Sequence, residues 1–322
     1  MAGRLAGFGS SPPGRGRIID GAGADLLMDG TGKDLRSKEI RAGGKLYTLS
    51  IEEENLSRLY PGMTRFTLRL ESGGKVLGLF RTNSYEYSPT VPLDAGQVVR
   101  QKAAEWEKAL LRDPAGFTAS LHGPREAPTA AGAVDALIVQ GSPRPDGNCS
   151  ILAGWAAEEA GVIGKRARVV YLDDLSIRPC IGCYQCYNTG SCTFDDDMAD
   201  LIGALGSARL LVICTPVYTN TVPGGLKTFI DRCQAYHAGK NLLTAVFATG
   251  GDQKGILLSV AGREGAGNFE CVRKVVISYL KNLGITPAGE LLLDGMDRVR
   301  DVRALPGARE EVGRLVRLAF GG

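Results

Sequence analysis

Short uninterrupted apolar runs alternate, along the second half of this chain, with stretches whose apolar positions recur every three or four residues. Ala136–Gln140 reads as a buried parallel strand, and a helical pattern starts near Ile151. Residues 168–172 form a second strand. Asp195, Asp196 and Asp197 place acids at the start of a helix through Met198, Leu201 and Ile202, where the helix dipole favours them. Residues 210–214 make a third strand, followed by a helix carrying Leu226, Phe229 and Ile230 on one face. A fourth strand is read at 243–248, a helix at 269–283 and a fifth strand within 289–293. Strands alternating with helices predict an α/β, doubly wound, five-stranded parallel sheet, with ligand bound beyond the carboxyl ends of the strands. On this reading the loops after strands one, three and four, and the loop after strand two, converge on one edge.

The first half is patterned differently. Residues 1–16, rich in Gly, Pro and Arg, read as a mobile tail. Ser50-Ile51-Glu52-Glu53 has the spacing of a capping box, predicting a short helix over Leu56 and Leu59. Phe66, Leu68 and Leu70 alternate with Arg65, Thr67 and Arg69, and Ser72-Gly73-Gly74 turns into 76–80, predicting a β-hairpin with one wet face. Val99, Ala103, Trp106 and Leu110 form the apolar stripe of a helix over 94–111. The prolines of 113–132 indicate a linker. The expected organisation is a tail (1–16), a small α+β domain (17–112), a linker (113–132) and the α/β domain (133–322).

Composition changes this picture little. With 44% hydrophobic and 23% charged residues, the chain has the make-up of an ordinary globular protein. No apolar span is long enough for a membrane helix and no secretory h-region follows Met1, so a cytoplasmic protein without membrane contact is expected. The net charge of +3 arises in the first 130 residues, where the charges are interspersed, so no nucleic-acid surface is predicted. His122 and His237 fit no metal or nucleophile pattern, and Cys214, Cys233 and Cys271 fall at apolar positions.

Candidate chemistry concentrates in two places. Cys180, Cys183, Cys186 and Cys192 form a C-x2-C-x2-C-x5-C run in which Gly182 and Gly190 permit a tight path. Such spacing turns thiolates toward one point. It suits a [4Fe–4S] cluster, while a tetrahedral zinc site or reversible disulfides stay open from spacing alone. The second place follows the first strand. Gly141-Ser142-Pro143-Arg144-Pro145-Asp146-Gly147-Asn148-Cys149-Ser150 is a loop of small residues leading into a helix N-terminus, the arrangement that cradles a phosphate on backbone N–H groups. It is neither a Walker loop, since Asn148 stands where lysine belongs, nor a G-x-G-x-x-G fingerprint. A loop of this kind suits a single terminal phosphate such as that of FMN.

Taken together with Asp196-Asp197-Met198 after the cysteine run, Pro216-Val217-Tyr218, Leu226-Lys227 and Phe229-Ile230-Asp231-Arg232, these motifs make residues 133–320 resemble the flavodoxin-like NADPH-dependent FMN reductase family. The cysteine run resembles its iron–sulfur flavoprotein branch. The resemblance implies a flavodoxin-like fold. Ser142, Arg144, Gly147, Asn148 and Ser150 would hold the FMN phosphate, and Pro216, Val217, Tyr218, Thr219, Asn220, Thr249, Gly250 and Gly251 would line the isoalloxazine. Cys149 replaces the hydroxyl residue usual in the family, so only its backbone N–H would serve the phosphate. Cys180, Cys183, Cys186 and Cys192 would ligate one [4Fe–4S] cluster. The implied activity is electron transfer from ferredoxin or a similar carrier through the cluster to FMN and on to a two-electron acceptor, in a homodimer or homotetramer. Two other readings stand beside it: a cluster-free NAD(P)H-dependent FMN or quinone reductase, and a zinc-stapled flavin-binding sensor.

Overall fold

A computed structural model of the chain describes residues 27–28, 33–87, 90, 92–121, 134–243 and 252–321. Two sheets organise them. The first is an antiparallel meander in the order β1 (Leu27–Met28), β2 (Lys33–Ala42), β3 (Lys45–Asn55), β4 (Thr64–Ser72) and β5 (Lys75–Asn83). The helix α1 (Ala95–Arg112) follows, begun by a capping box between Asp94 and Gln97. Its Val99, Trp106 and Leu110 pack on Leu49, Leu68 and Leu70 of the sheet.

Three expectations change here. Ser50 to Glu53 lie in β3, not at a helix start, because Tyr47 and Leu49 alternate inward while both edges of the strand pair with β2 and β4. Continuous ladder pairing outweighs a local capping signal. The hairpin β4–β5 forms as read, but its second face is not simply wet: Arg65 and Thr67 are buried on it. Part of the linker is also ordered, since Pro114–Ser120 forms α2, capped by Asp113 and packed through Phe117 on the edge of Trp106.

The second sheet is parallel, in the order β10-β9-β8-β6-β7. In chain order its strands and helices are β6 (Ala136–Gln140), α3 (Asn148–Val162), β7 (Ala167–Tyr171), α4 (Cys186–Thr189), α5 (Met198–Ser207) and β8 (Leu210–Pro216). They continue through α6 (Gly224–Arg232), α7 (Gln234–Leu242), β9 (Lys254–Val260), α8 (Glu270–Asn282), β10 (Thr286–Leu293), α9 (Met296–Val299) and α10 (Ala308–Phe320). Counted within this sheet the order is 2-1-3-4-5, the flavodoxin-like doubly wound arrangement, with its switch point between β6 and β8. The apolar runs buried on both faces explain the sheet: α3 and α10 cover one side, and α5, α6 and α8 the other.

The fourth parallel strand is Lys254–Val260, whereas the sequence suggested 243–248. Two apolar runs competed for that place. Leu242 is instead the buried end of α7, and residues 244–251 lie outside those described, as do Thr249, Gly250 and Gly251.

Candidate functional site

At the switch point a cavity of about 1150 Å³ opens beyond the carboxyl ends of β6, β8, β9 and β10. The loop after β6 supplies Ser142, Arg144, Gly147, Asn148 and Cys149, and the loop after β8 supplies Pro216, Val217, Tyr218, Thr219 and Asn220. Ser150 does not line it.

Gln140, the polar residue that closes the apolar strand, organises the first loop. Its Oε1 accepts from the Ser142 N–H at 2.8 Å, and its Nε2 donates to the Arg144 carbonyl at 3.1 Å and Ser150 Oγ at 2.9 Å. Ser142 Oγ in turn accepts from the Arg144 N–H at 3.1 Å. The two serine hydroxyls thus bond within the loop. What faces a ligand is the start of α3, whose N-cap Gly147 makes no side-chain cap bond. Unsatisfied helix N–H groups and the Arg144 guanidinium suit a phosphate there. Cys149 turns its thiol into the core beside Cys214, and burial pushes that thiol up to about 12, so it stays neutral.

The second loop is a tight turn. Tyr218 and Thr221 exchange backbone hydrogen bonds at 2.8 and 2.9 Å, and Thr219 and Asn220 both have left-handed backbones (φ 44° and 63°). Two left-handed central residues define a type I′ turn, for which Asn is well suited and Thr is strained. Strain of this kind costs on the order of 1–3 kcal/mol and collects at functional sites.

Sequence reasoning missed a third wall, from the loops after β9 and β10: Gly262, Arg263, Asp297, Arg300 and Arg303. Arg300 is left-handed (φ 67°) and follows directly on α9. Asn148 holds it in place, donating to the Arg300 carbonyl at 3.0 Å and accepting from the Val302 N–H at 3.1 Å. The Asn148 side chain therefore ties two loops together, and its backbone is what remains for a phosphate. The signal available in the sequence was the density of arginines after the last strand.

The four cysteines of the run border a separate cavity of about 920 Å³, walled by α6, α7 and α8. It shares no lining residue with the switch-point cavity, which revises the expectation of a single convergent site. The reason is topological: β7 is the edge strand, and its following loop runs outward over α6. Gly182 and Gly190 take left-handed conformations, and so does Tyr184 (φ 55°), an aromatic residue between Cys183 and Cys186. Burial first, then the neighbouring Cys192, Cys183 and Cys180, push the Cys186 thiol up to about 12. Among the described residues no three His, Cys, Asp or Glu side chains are gathered to hold a metal ion.

Beside the run lies a buried cation. Arg232 is 2% exposed and donates to Asp196 and to the Arg178 carbonyl, while its Nε–H finds no hydrogen-bond partner among the described residues. Burial disfavours its charge, but Asp196 and the Cys192 sulfur more than offset this and raise its pKa. Four thiols and a buried cation border one cavity, a donor set chemically suited to a sulfur-ligated anionic group, while among the described residues the thiols are not gathered to hold a metal ion.

The sequence model of the NADPH-dependent FMN reductase family matches residues 134–264. An iron–sulfur flavoprotein of Methanosarcina thermophila is 31% identical over 121 residues, 36% of this chain and 63% of that protein. An iron–sulfur flavoprotein of Archaeoglobus fulgidus is 31% identical over 154 residues, 48% of this chain and 66% of that protein. The chain thus spans less than two thirds of the length of these relatives. A solved NAD(P)H:quinone oxidoreductase from Methanothermobacter marburgensis aligns over 58% of this chain and 95% of its own, at 19% identity and a TM-score of 0.45.

Proposed function

We propose, for a chain whose C-terminal domain belongs to the NADPH-dependent FMN reductase family and whose relatives include iron–sulfur flavoproteins, that it is a flavin-dependent electron-transfer oxidoreductase. In this reading FMN occupies the switch-point cavity, and Cys180, Cys183, Cys186 and Cys192 carry a [4Fe–4S] cluster. One observation supports it above the rest: a single domain pairs a phosphate-type cradle at the switch point with four thiols bordering one cavity. A cluster passes single electrons and a flavin stores two, so together they convert one-electron donors into two-electron chemistry.

The residues have definite tasks on this reading. Backbone N–H groups at Asn148 and Cys149, with Arg144, orient the phosphate. The strained Thr219–Asn220 turn presents backbone polar groups toward the ring, and Tyr218, partly exposed, offers a stacking face. Gly262 and Arg263, in the loop after β9, line the same cavity. Arg232 offsets the negative charge of a thiolate-bound group. Cys180 and Ile181, both exposed, form the outermost point of the cysteine loop, where ferredoxin or a similar carrier would deliver electrons. A homodimer or homotetramer is carried over from the family as the assembly.

Anaerobic purification followed by iron, sulfide and flavin assays tests the reading. The expected result is one FMN with about four irons and four sulfides per chain. Stoichiometric zinc without iron overturns the cluster. Rapid flavin reduction by NADPH that is indifferent to Cys183→Ser transfers the chain to the cluster-free reductase reading.

A further inference from the structure

A buried polar network joins the N-terminal sheet to the cysteine loop. Asn83, at the end of β5, is fully buried and donates through Nδ2 to Asn188 Oδ1 at 2.9 Å and to the Tyr184 carbonyl at 3.4 Å. Glu86 accepts from the side-chain amides of Gln185 and Asn188. Arg65 is paired with Glu54 at 2.8 Å and donates to the Tyr187 carbonyl at 3.2 Å, and Arg81 donates to the Asn188 carbonyl at 3.1 Å. Apolar packing adds to this: Tyr85 meets Tyr184 edge-on at 5.2 Å, and Tyr60 lies 4.8 Å from Tyr187.

These bonds fall on the segment that contains Cys186 and follows Cys183. Its least favourable backbone conformation is the left-handed Tyr184, and a bulky residue stays in that region only where its surroundings over-determine it. Asn83 and Tyr85, which fix the Tyr184 carbonyl and ring, both belong to the N-terminal domain. That domain lies outside residues 134–264, the part matched by the family.

We propose that the N-terminal domain is the holder of the cysteine loop, with Asn83 and Arg81 as positioning residues that fix the backbone between Cys183 and Thr189 and thereby the placement of the Cys183 and Cys186 thiols. The proposal rests on the cluster reading only for what those thiols carry. The geometry of the loop is a property of the polypeptide itself.

Amide hydrogen exchange of the full-length chain, read on peptides covering 184–190, tests it together with the rate at which a chelator strips iron. Asn83→Ala leaves the buried Asn188 Oδ1 unpaired and removes one of the two hydrogen bonds to the Tyr184 carbonyl, which keeps that from the Tyr187 N–H. Exchange in 184–190 and iron release are both expected to accelerate by roughly tenfold, the factor that corresponds to one buried hydrogen bond, with bound FMN unchanged. Arg81→Met removes the guanidinium that donates to the Asn188 carbonyl while keeping an unbranched side chain of similar reach; at least about a threefold acceleration is expected. Asp94→Ala, which removes the α1 cap in the same domain without touching the loop, is the control and is expected to stay within about twofold. Unchanged exchange in both loop-facing variants overturns the proposal, and so does equal acceleration in the control. If the parent chain carries no iron while exchange follows the expected pattern, the cluster reading falls and the holder stands.

Discussion

Arg232 grips Asp196 with two nitrogens, at 2.7 and 2.8 Å, in a pair almost sealed from solvent. Asp196 also accepts from the backbone N–H of Arg178 at 3.1 Å, and Arg232 donates to the carbonyl of Arg178 at 2.6 Å. Residues 178 and 196 flank the cysteine run on either side. The ion pair therefore closes the base of the loop and fastens it to α6, while the N-terminal domain fixes its middle.

Breaking a buried pair by removing one charge is costly, so Asp196→Asn should lose about 3–5 kcal/mol at neutral pH. The sign of its pH dependence follows from the Arg232 hydrogen bonds, which hold the Asp196 carboxyl below its ordinary 3.8. An acid with a lowered pKa contributes stability that is complete above its unfolded value and is lost as pH falls through its folded value. Urea unfolding across a pH series should show a steady gap between parent and variant down to the ordinary Asp range, then a shrinking one. A gap that widens in acid would contradict the assignment.

Gln140 makes three hydrogen bonds inside the candidate phosphate loop and has no exposure to solvent. Gln140→Leu keeps the volume and removes all three. FMN affinity should drop by at least about tenfold, or 1.4 kcal/mol, in a fluorescence titration. Riboflavin, which lacks the phosphate, should lose much less. Equal losses for both ligands would detach the loop from phosphate binding.

Because the cysteine cavity and the switch-point cavity share no wall, each of Cys180→Ser, Cys183→Ser, Cys186→Ser and Cys192→Ser should lose iron while retaining FMN. Metal analysis beside flavin release on denaturation checks this. Loss of FMN in step with iron would mean that the two sites fold as one unit.

Arg300 tests the wall formed after β10. Its left-handed backbone suits glycine, so relief of strain and the entropy of a more flexible unfolded chain nearly cancel in Arg300→Gly, and stability should change by less than about 1 kcal/mol. Losing the guanidinium should still weaken FMN relative to riboflavin by several-fold. Asn148→Ala, which frees the same loop, should shift the ratio in the same direction. An unchanged ratio in both variants would remove this loop from cofactor recognition.

The amino-acid sequence by itself determined the parallel sheet, because Ala136–Gln140 and Leu210–Pro216 are apolar enough to be buried on both faces and strand–helix alternation leaves few other topologies. It also determined the two chemical loops, since cysteine spacing and a small-residue loop before a helix are local patterns. It pointed to 243–248 for the fourth strand, whereas pairing with β8 and β10 puts that strand at Lys254–Val260, a choice that local apolar pattern does not make. The capping spacing at Ser50 was equally local, and cross-strand pairing overrode it. Tertiary structure alone decided the rest: that Asn148 reaches Arg300 across more than 150 residues, and that Asn83 and Arg81 close on the cysteine loop. Such contacts form between groups whose separation along the chain carries no periodic signal, so they become visible only when the sheet edges and helix ends are brought together.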